Sequence, residues 1–416
     1  MPSIPSPKLA ALLRDGVDVE TERTADILTK LLRAVRGHLG MEAAFVSRFA
    51  EGRRLFEACD AANPACALPV GGGDPLEDSY CMRVADGRLP ELIHNAQENP
   101  EALGLAATRA FPVGAHLSVP LKLSDGSVFD TFCCFSRTPD YSLNTRDLEL
   151  LRMVAEIAGS VIERDLEAER NSAESRKRVE SVLHGHGDVL SMVYQPIVCL
   201  ENQRIVGFES LARFKSVPPR APDVWFQEAN TVGLGQELEV LAIQSALAHG
   251  YLADRVYVAC NVSPEVVLSG QLPDSLCQAK LSRIVLEITE HSCVRDYSNL
   301  ERLLRPLRDR GLRLAVDDAG AGYSSFGHIL RLHPDYIKLD MSITRGIDQD
   351  RGKRALTAAL LGFAHETSSE LIAEGVETAS ELETLRSLGV HKGQGYWLGR
   401  PASFDIARDL VAKQLS

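Results

Sequence analysis

The feature that most restricts the fold is a recurrence in the second half of the chain. From residue 188 onward, short apolar runs recur, most of them about 20–35 residues apart, with helical periodicity between them. The runs are Met192–Val198, Ile205–Arg213, Val256–Val262, Ile284–Thr289, Leu312–Asp317, Tyr336–Leu339, Glu370–Ala373 and a short Gly395–Leu398. Strands alternating with helices in this way, over about 225 residues, fit a closed α/β barrel of the (β/α)8, TIM-like kind better than an open doubly wound sheet. No GxGxxG follows the first run, which further disfavours a dinucleotide-binding sheet.

A barrel of that kind carries its chemistry where the strands exit. Nearly every run places a carboxylate, amide or amine within it or just after it. These are Glu209 and Arg213, Asn261, Glu287, the pair Asp317 and Asp318, Lys338, Glu374 and Gln394. A lone strand-end glutamate is usually a structural hydrogen-bonding group or half of an ion pair. Convergence from many strands is different, and oxygen ligands without Cys or His suit Mg²⁺ or Mn²⁺ rather than zinc. Lys338 has two readings: a buried salt-bridge partner, or a group that orients water and stabilises phosphoryl charge.

The first half of the chain reads differently. Leu28, Leu31, Leu32, Val35 and Leu39 share one helical face, and Gly40 follows as a C-cap. Strand-like runs follow at Ala43–Phe49, Leu55–Cys59, Ala115–Leu123 and Val128–Phe135, with Ser-Asp-Gly-Ser between the last two as a hairpin turn. A helix then opens at Asp147, with Leu150, Val154, Ile157 and Val161 along one stripe. The expected division is residues 19–164, a charge-dense helical linker at 165–187, and residues 188–416. A chain of 416 residues has room for these parts.

Composition narrows the partners. A net charge of −12 argues against a polymeric nucleic acid, though not against a small anion held through metal ions. No run approaches the ~18 apolar residues of a membrane span, and the start lacks the pattern of a signal peptide. Nine cysteines without CxxC spacing suit reduced thiols, so the expectation is a cytoplasmic protein with no membrane contact. His184-Gly-His186-Gly reads as a flexible break rather than a metal pair. Cys133 and Cys134, flanked by Phe132 and Phe135, read as core residues, with redox sensing by them or by Cys81 as the alternative.

Two resemblances add to this reading. The helix–sheet–helix layout of residues 19–164, with "DSYCMRVADGRLPELIHNA" and "GAHLSVPLKLSDGSVFDTFCCFS", resembles a GAF sensor domain, an α+β fold. That implies an unidentified small-molecule ligand and a regulatory role. Residues 188–416 resemble an EAL domain, the cyclic di-GMP phosphodiesterase family. The matching text is Tyr194-Gln-Pro-Ile-Val198, Gly207-Phe-Glu-Ser-Leu-Ala-Arg213, Asn261-Val-Ser263, Glu287-Ile-Thr-Glu290, Asp317-Asp318, Ile337-Lys-Leu-Asp340, Ala373-Glu-Gly-Val-Glu377, Gln394-Gly-Tyr396 and Gly399-Arg-Pro401. The signature triplet is Glu-Ser-Leu here, a small-for-small change from Glu-Ala-Leu.

By that resemblance, Glu209, Asn261, Glu287 and Asp317 would hold one metal, and Asp317, Asp318 and Glu374 a second. Lys338 would contact the attacking water, with Gln394 positioning it, and Glu209 and Glu374 would belong to the catalytic set. Gln195, Leu211, Arg213 and Pro401 would line the substrate groove, and Glu290 would anchor the loop after Asp318. The implied reaction is metal-dependent hydrolysis of cyclic di-GMP to linear pGpG. The alternative is a receptor that binds cyclic di-GMP without cutting it. A homodimer joined through the helix from Asp147 is also expected.

Asp317 and Asp318 pose a local problem. Successive side chains of a strand point to opposite faces, so both can serve one site only if the strand ends there and the chain turns. Gly320 and Gly322 permit such a turn. The resembled family usually has Asp-Asp-Phe-Gly here, whereas this chain has Ala319.

Overall fold

The computed structural model describes residues 23–415 apart from 111, 186–188, 217, 251, 254, 273–275, 277–278, 289–295 and 320–324. The chain divides into two compact units, Met1–Asn171 and Ser172–Ser416.

In the first unit the expected helix spans Thr24–Leu39. It buries Leu28, Leu31, Leu32, Val35 and Leu39, and it ends on Gly40 in the left-handed conformation. The six-stranded sheet has the order β3-β2-β1-β6-β5-β4. Its strands are β1 (Ala43–Ala50), β2 (Arg53–Ala61), β3 (Gly73–Pro75), β4 (Leu92–Ile93), β5 (His116–Lys122) and β6 (Val128–Phe135). The turn between β5 and β6 closes with the Gly126 N–H donating to the Leu123 carbonyl at 2.9 Å. One sheet face, including Val46, Leu117, Val119, Phe132 and Cys134, packs with the Thr24–Leu39 helix and with Leu151, Val154 and Val161. The other face carries Phe45, Phe56, Cys133 and Phe135.

The helix expected from Asp147 runs from Thr145 to His184, so the linker residues continue it. Its first linker turns are exposed, but its last turns belong to the second unit. There Val179 and Val182 are buried with Leu190, Trp225, Ala229 and Leu238, and Arg176 donates to the Val232 carbonyl at 2.6 Å. His184 Nδ1 pairs with the Glu180 carbonyl at 2.7 Å, and His186 lies outside the described residues.

The second unit is a closed eight-stranded barrel in the order β10-β11-β12-β13-β14-β7-β8-β9. The strands are β7 (Leu190–Cys199), β8 (Ile205–Phe214), β9 (Tyr257–Val262), β10 (Ile284–Ile288), β11 (Arg313–Ala319), β12 (Tyr336–Leu339), β13 (Glu370–Ala373) and β14 (Lys392–Gly393). Strands β8 to β14 pair in parallel, as a (β/α)8 barrel requires. Strand β7 departs from that pattern, lying antiparallel to both β8 and β14. Residues 200–204 are all that link β7 to β8, too few for a parallel crossover of a dozen or more residues. The chain therefore makes a hairpin and the first strand is reversed.

The eighth strand also differs from expectation. It is Lys392–Gly393, and residues 395–398 form a turn in which the Leu398 and Gly399 N–H groups donate to the Gly395 carbonyl at 3.1 and 3.0 Å. The apolar character that suggested a strand comes from Tyr396 and Trp397, which are exposed.

Alternation by two sorts the barrel residues. Val258, Cys260, Leu286, Ile288, Leu314, Val316, Ile337, Leu339 and Leu371 face the surrounding helices in one large core. Ile197, Tyr257, Ala259, Val285, Ala315, Tyr336 and Ile372 form a second cluster inside the barrel. Tyr257 and Tyr336 stack there with ring centroids 5.5 Å apart.

Candidate active site

Five polar residues of the expected site each stand two positions beyond an interior apolar one. Asn261 follows Ala259, Glu287 follows Val285, Asp317 follows Ala315, Lys338 follows Tyr336, and Glu374 follows Ile372. The period-two geometry that fills the barrel with apolar groups thus lifts these side chains to the strand exits. On reversed β7 the order inverts, and the polar Gln195 precedes Ile197. Register then sets Gln195 opposite Glu209 and Asn261 beside Glu287.

The side chains gather around Lys338, which is fully buried. Its Nζ lies 2.7 Å from Glu374 Oε1, 2.9 Å from Glu287 Oε2, 3.2 Å from Asp317 Oδ1 and 3.6 Å from Glu209 Oε1. Gln394 Nε2 donates to Glu209 Oε2 at 2.6 Å and to Gln195 Oε1 at 3.1 Å. Asn261 Nδ2 donates to Glu209 Oε1 at 3.3 Å. Gln195 Nε2 donates to the Gly399 carbonyl at 3.2 Å, tying β7 to the loop after β14.

Four carboxylates facing one ammonium leave formal negative charge in excess, in a place with little water to screen it. The titrations respond accordingly. Burial raises Glu287 well above the usual carboxylate range, with Glu209 and Asp317 adding to the effect against the pull of Lys338. Burial likewise raises Glu374, to about 8. Burial alone would lower the Lys338 ammonium, but Asp317, Glu209, Glu287 and Glu374 outweigh it and hold its pKa well above normal.

Among the described residues, the carboxylates close on the lysine rather than on a shared cation position. The donor set nevertheless suits a hard divalent ion. It is oxygen-rich, it carries surplus negative charge, and Glu287 Oε1 is buried without a hydrogen-bond partner among the described residues.

The paired aspartates are accommodated differently from the expectation. Strand β11 does not end at Asp317 but runs to Ala319. Its pairing with β12 shifts between Val316↔Ile337 and Ala319↔Leu339, three steps on one strand against two on the other. That is a bulge, which absorbs one residue and re-aims its neighbours. The Asp318 side chain, Glu290, Gly320 and Gly322 lie outside the described residues. Ala319 is buried in the outer barrel core.

A cavity of about 310 Å³ opens on this cluster, lined by Gln195, Glu209, Leu211, Glu374 and Gln394. Met341, Arg345, Glu377 and Tyr396 also line it, and none was singled out from sequence as a site residue. Tyr396 and Glu377 stood inside quoted motifs, while Met341 and Arg345 carry no local signal. An adjoining apolar cavity of about 300 Å³ is lined by Leu211, Arg213, Phe226, Glu239 and Asn261 among others. Arg213 is exposed, with one N–H on the Ala212 carbonyl at 2.7 Å. Pro401 is half-buried beside the Tyr194–Ala402 bridge and, among the described residues, lines neither cavity.

The EAL domain model matches residues 178–401 and the GAF domain model residues 21–163. Among curated relatives, the chain is 29% identical over 354 residues to the cyclic di-GMP phosphodiesterase PA2567 of Pseudomonas aeruginosa, covering 78% of this chain and 58% of that protein. It is 33% identical over 219 residues to the probable cyclic di-GMP phosphodiesterase PdeD of Escherichia coli, covering 50% of this chain and 40% of that one. An uncharacterized signaling protein of Caulobacter vibrioides aligns over 89% of this chain at 29% identity, and over 45% of its own length. The chain thus spans about half the length of the curated relatives it matches. Among solved structures, the EAL enzyme Bd1971 in its cAMP- and cyclic-di-GMP-bound form covers 89% of this chain and 93% of its own. Its TM-score of 0.53 at 18% identity is a likeness of fold. The chain belongs to the EAL domain family and carries a GAF domain ahead of its EAL domain.

Proposed function

We propose that this chain hydrolyses cyclic di-GMP to linear pGpG, using two Mg²⁺ or Mn²⁺ ions per site. The observation that carries the reading is the surplus of buried carboxylate at the barrel mouth, with Glu287 Oε1 left without a hydrogen-bond partner among the described residues. Glu209, Asn261, Glu287, Asp317, Asp318 and Glu374 are the residues that would hold the ions. When bound, such ions reverse the local field for a dianionic substrate, acidify a water and screen the leaving oxygen.

The chain's own groups do the rest. Lys338 directs hydrogen bonds to the attacking water and to the phosphoryl oxygens. Glu374, the carboxylate nearest the ammonium, accepts the nucleophile's proton. Gln394 is held by Glu209 and Gln195 and fixes the water's orientation. Gln195, Leu211, Arg213 and Pro401 position the dinucleotide, and Glu290 anchors the loop after β11. The curated relatives named as cyclic di-GMP phosphodiesterases support the substrate. We further read the protein as a homodimer whose GAF domain binds a small molecule and sets the rate.

The test is to incubate purified protein with cyclic di-GMP and Mg²⁺ or Mn²⁺ and follow pGpG by chromatography. Turnover should stop with chelator and in Glu209→Ala. Intact cyclic di-GMP under every condition overturns the reading, and binding retained equally by Glu209→Ala would make the protein a receptor. Rates of the full chain and of residues 172–416 alone should differ if the GAF domain regulates. Light scattering giving a monomer mass would remove the dimer.

A further inference from the structure

The first unit holds a buried cluster that the hydrolase reading does not use. Cys133 and Cys134 are adjacent in sequence, yet alternation along β6 sends them to opposite faces. Cys134 joins the core under the helices. Cys133 faces the other way, and its Sγ lies 3.4 Å from Cys81 Sγ. Both sulfurs belong to residues with no exposed surface.

The surroundings of the two sulfurs differ. Arg54 Nη1 donates to Cys81 Sγ at 3.1 Å, while its Nε donates to Asp74 Oδ1 at 2.9 Å. The guanidinium is held over the rings of Phe56 and Phe45, at 4.9 and 5.5 Å from their centroids. Cys133 instead meets the hydroxyls of Ser118 and Thr131, each at 3.1 Å. Burial alone would push the Cys81 thiol up, but the hydrogen bond from Cys133 and the charge of Arg54 bring it down to about 5. Burial, followed by the neighbouring Cys81 sulfur, raises Cys133 well above its usual value. The two sulfurs share a hydrogen bond, and Arg54 favours the charged form of Cys81 over that of Cys133.

Two sulfurs this close suit either a soft metal ion or disulfide chemistry. A guanidinium 3.1 Å from one sulfur repels a cation and stabilises a thiolate. Among the described residues, no third His, Cys, Asp or Glu completes a metal set. The choice falls on disulfide chemistry.

We propose that Cys81 and Cys133 are a peroxide-oxidisable dithiol, with Cys81 as the attacking sulfur and Cys133 as the resolving one. The oxidant is hydrogen peroxide, a small neutral molecule. The Cys81 thiolate attacks one peroxide oxygen and the O–O bond breaks, leaving a sulfenic acid and hydroxide. With the thiolate charge gone, Cys133 gives its proton to that hydroxide, forming water, and its sulfur attacks the sulfenic sulfur. The S–O bond breaks, and the departing hydroxide takes a proton from solvent. In sum, two thiols and one peroxide yield one disulfide and two waters, the two sulfurs losing two electrons to the O–O bond. Bond formation requires the sulfurs to approach by about 1.4 Å. The product ties the helix Tyr80–Ala85 to β6 across positions 52 apart in sequence. This proposal is independent of the chemistry of the second unit.

The test uses the full chain. Protein is exposed to a small excess of hydrogen peroxide, blocked with N-ethylmaleimide in denaturant, and mapped by peptide mass spectrometry. The expected result is a Cys81–Cys133 linked pair, reversed by dithiothreitol, with two of the nine thiols protected. Cys134→Ser should behave as wild type, and Cys133→Ser should stop at a dimedone-reactive Cys81. Arg54→Met should slow thiol loss about tenfold or more. The proposal is overturned if Cys81 and Cys133 stay alkylatable while half-buried Cys59 oxidises. A crosslink between other cysteines, or a co-purified metal whose removal frees both thiols, also overturns it. These wild-type readouts hold whether or not a variant folds.

Discussion

Lys338 has a structural role at the barrel mouth beside the chemical one proposed for it. Its ammonium lies within 4 Å of Glu209, Glu287, Asp317 and Glu374. Removing it leaves buried like charges facing one another, so Lys338→Met should cost about 3–5 kcal/mol of folded stability without divalent ions. Denaturant titrations with and without Mn²⁺ should find part of that loss restored by the metal. Glu287→Gln should do the reverse. The metal-free chain loses a repulsive charge and keeps its melting temperature or gains a few degrees, while the Mn²⁺-induced rise shrinks. A rise equal to wild type would remove Glu287 from the ligand set.

His116 supplies a second residue-scale prediction. It is buried in the first unit with its ring 4.6 Å from Tyr80 and Nδ1 without a hydrogen-bond partner among the described residues. Burial, aided by the charge of Arg54, depresses its pKa to about 3. Between that value and the ordinary ~6.5, the unfolded chain binds a proton that the folded chain refuses. The stability is therefore present above about pH 6.5 and lost as pH falls, by up to about 1.4 kcal/mol per pH unit. Thermal melts at pH 7 and pH 5 should show a larger drop for wild type than for His116→Phe, which keeps the ring contact and cannot ionise.

Among the elements, the strands were legible because period-two alternation and their terminal polar residues are local properties. The reversal of β7 follows from the short link at 200–204, also a local signal, but it matters only once the barrel closes and Gln195 comes opposite Glu209. The bulge in β11 was not legible. Two adjacent aspartates look the same whether a strand ends between them or absorbs an extra residue, and only pairing with β12 distinguishes the cases. The segment 395–398 was misread for a related reason. Tyr396 and Trp397 look like wall residues, yet Gly395 presses so closely on β13's following loop that the chain must turn. A Cβ there would stand 2.2 Å from both the N and the O of Val376. Gly395→Ala should therefore cost about 2 kcal/mol or more in denaturant titration. It should also lower kcat at least tenfold, because Gln394 and Tyr396 flank the displaced residue. Wild-type kinetics in this variant would mean that the turn does not position Gln394.

For the molecule as a whole, the boundary of the second unit matters. The expected linker, 165–187, is dense in charge and sparse in apolar residues. Val179 and Val182 nonetheless fill a pocket made by Leu190, Trp225, Ala229 and Leu238. A fragment of residues 188–416 loses both valines and should be less stable than residues 172–416 by about 3 kcal/mol or more. Equal denaturation midpoints would show that these last helical turns add nothing to the barrel. Any comparison of rates with and without the GAF domain should accordingly use the longer fragment.

The barrel, the antiparallel sheet ahead of it and most of the polar residues at the strand exits are legible from residue patterns. Each depends on alternation, turn chemistry or side-chain type over a few neighbouring positions. The tertiary structure alone decided which of those groups meet. Four carboxylates drawn from separate strands close on one ammonium, and two cysteines 52 positions apart share a hydrogen bond while Cys134, next to one of them, does not. Such meetings depend on register, on the bulge and on the direction of β7. Register and the bulge are set by hydrogen bonds between strands distant in sequence, and no local pattern records them.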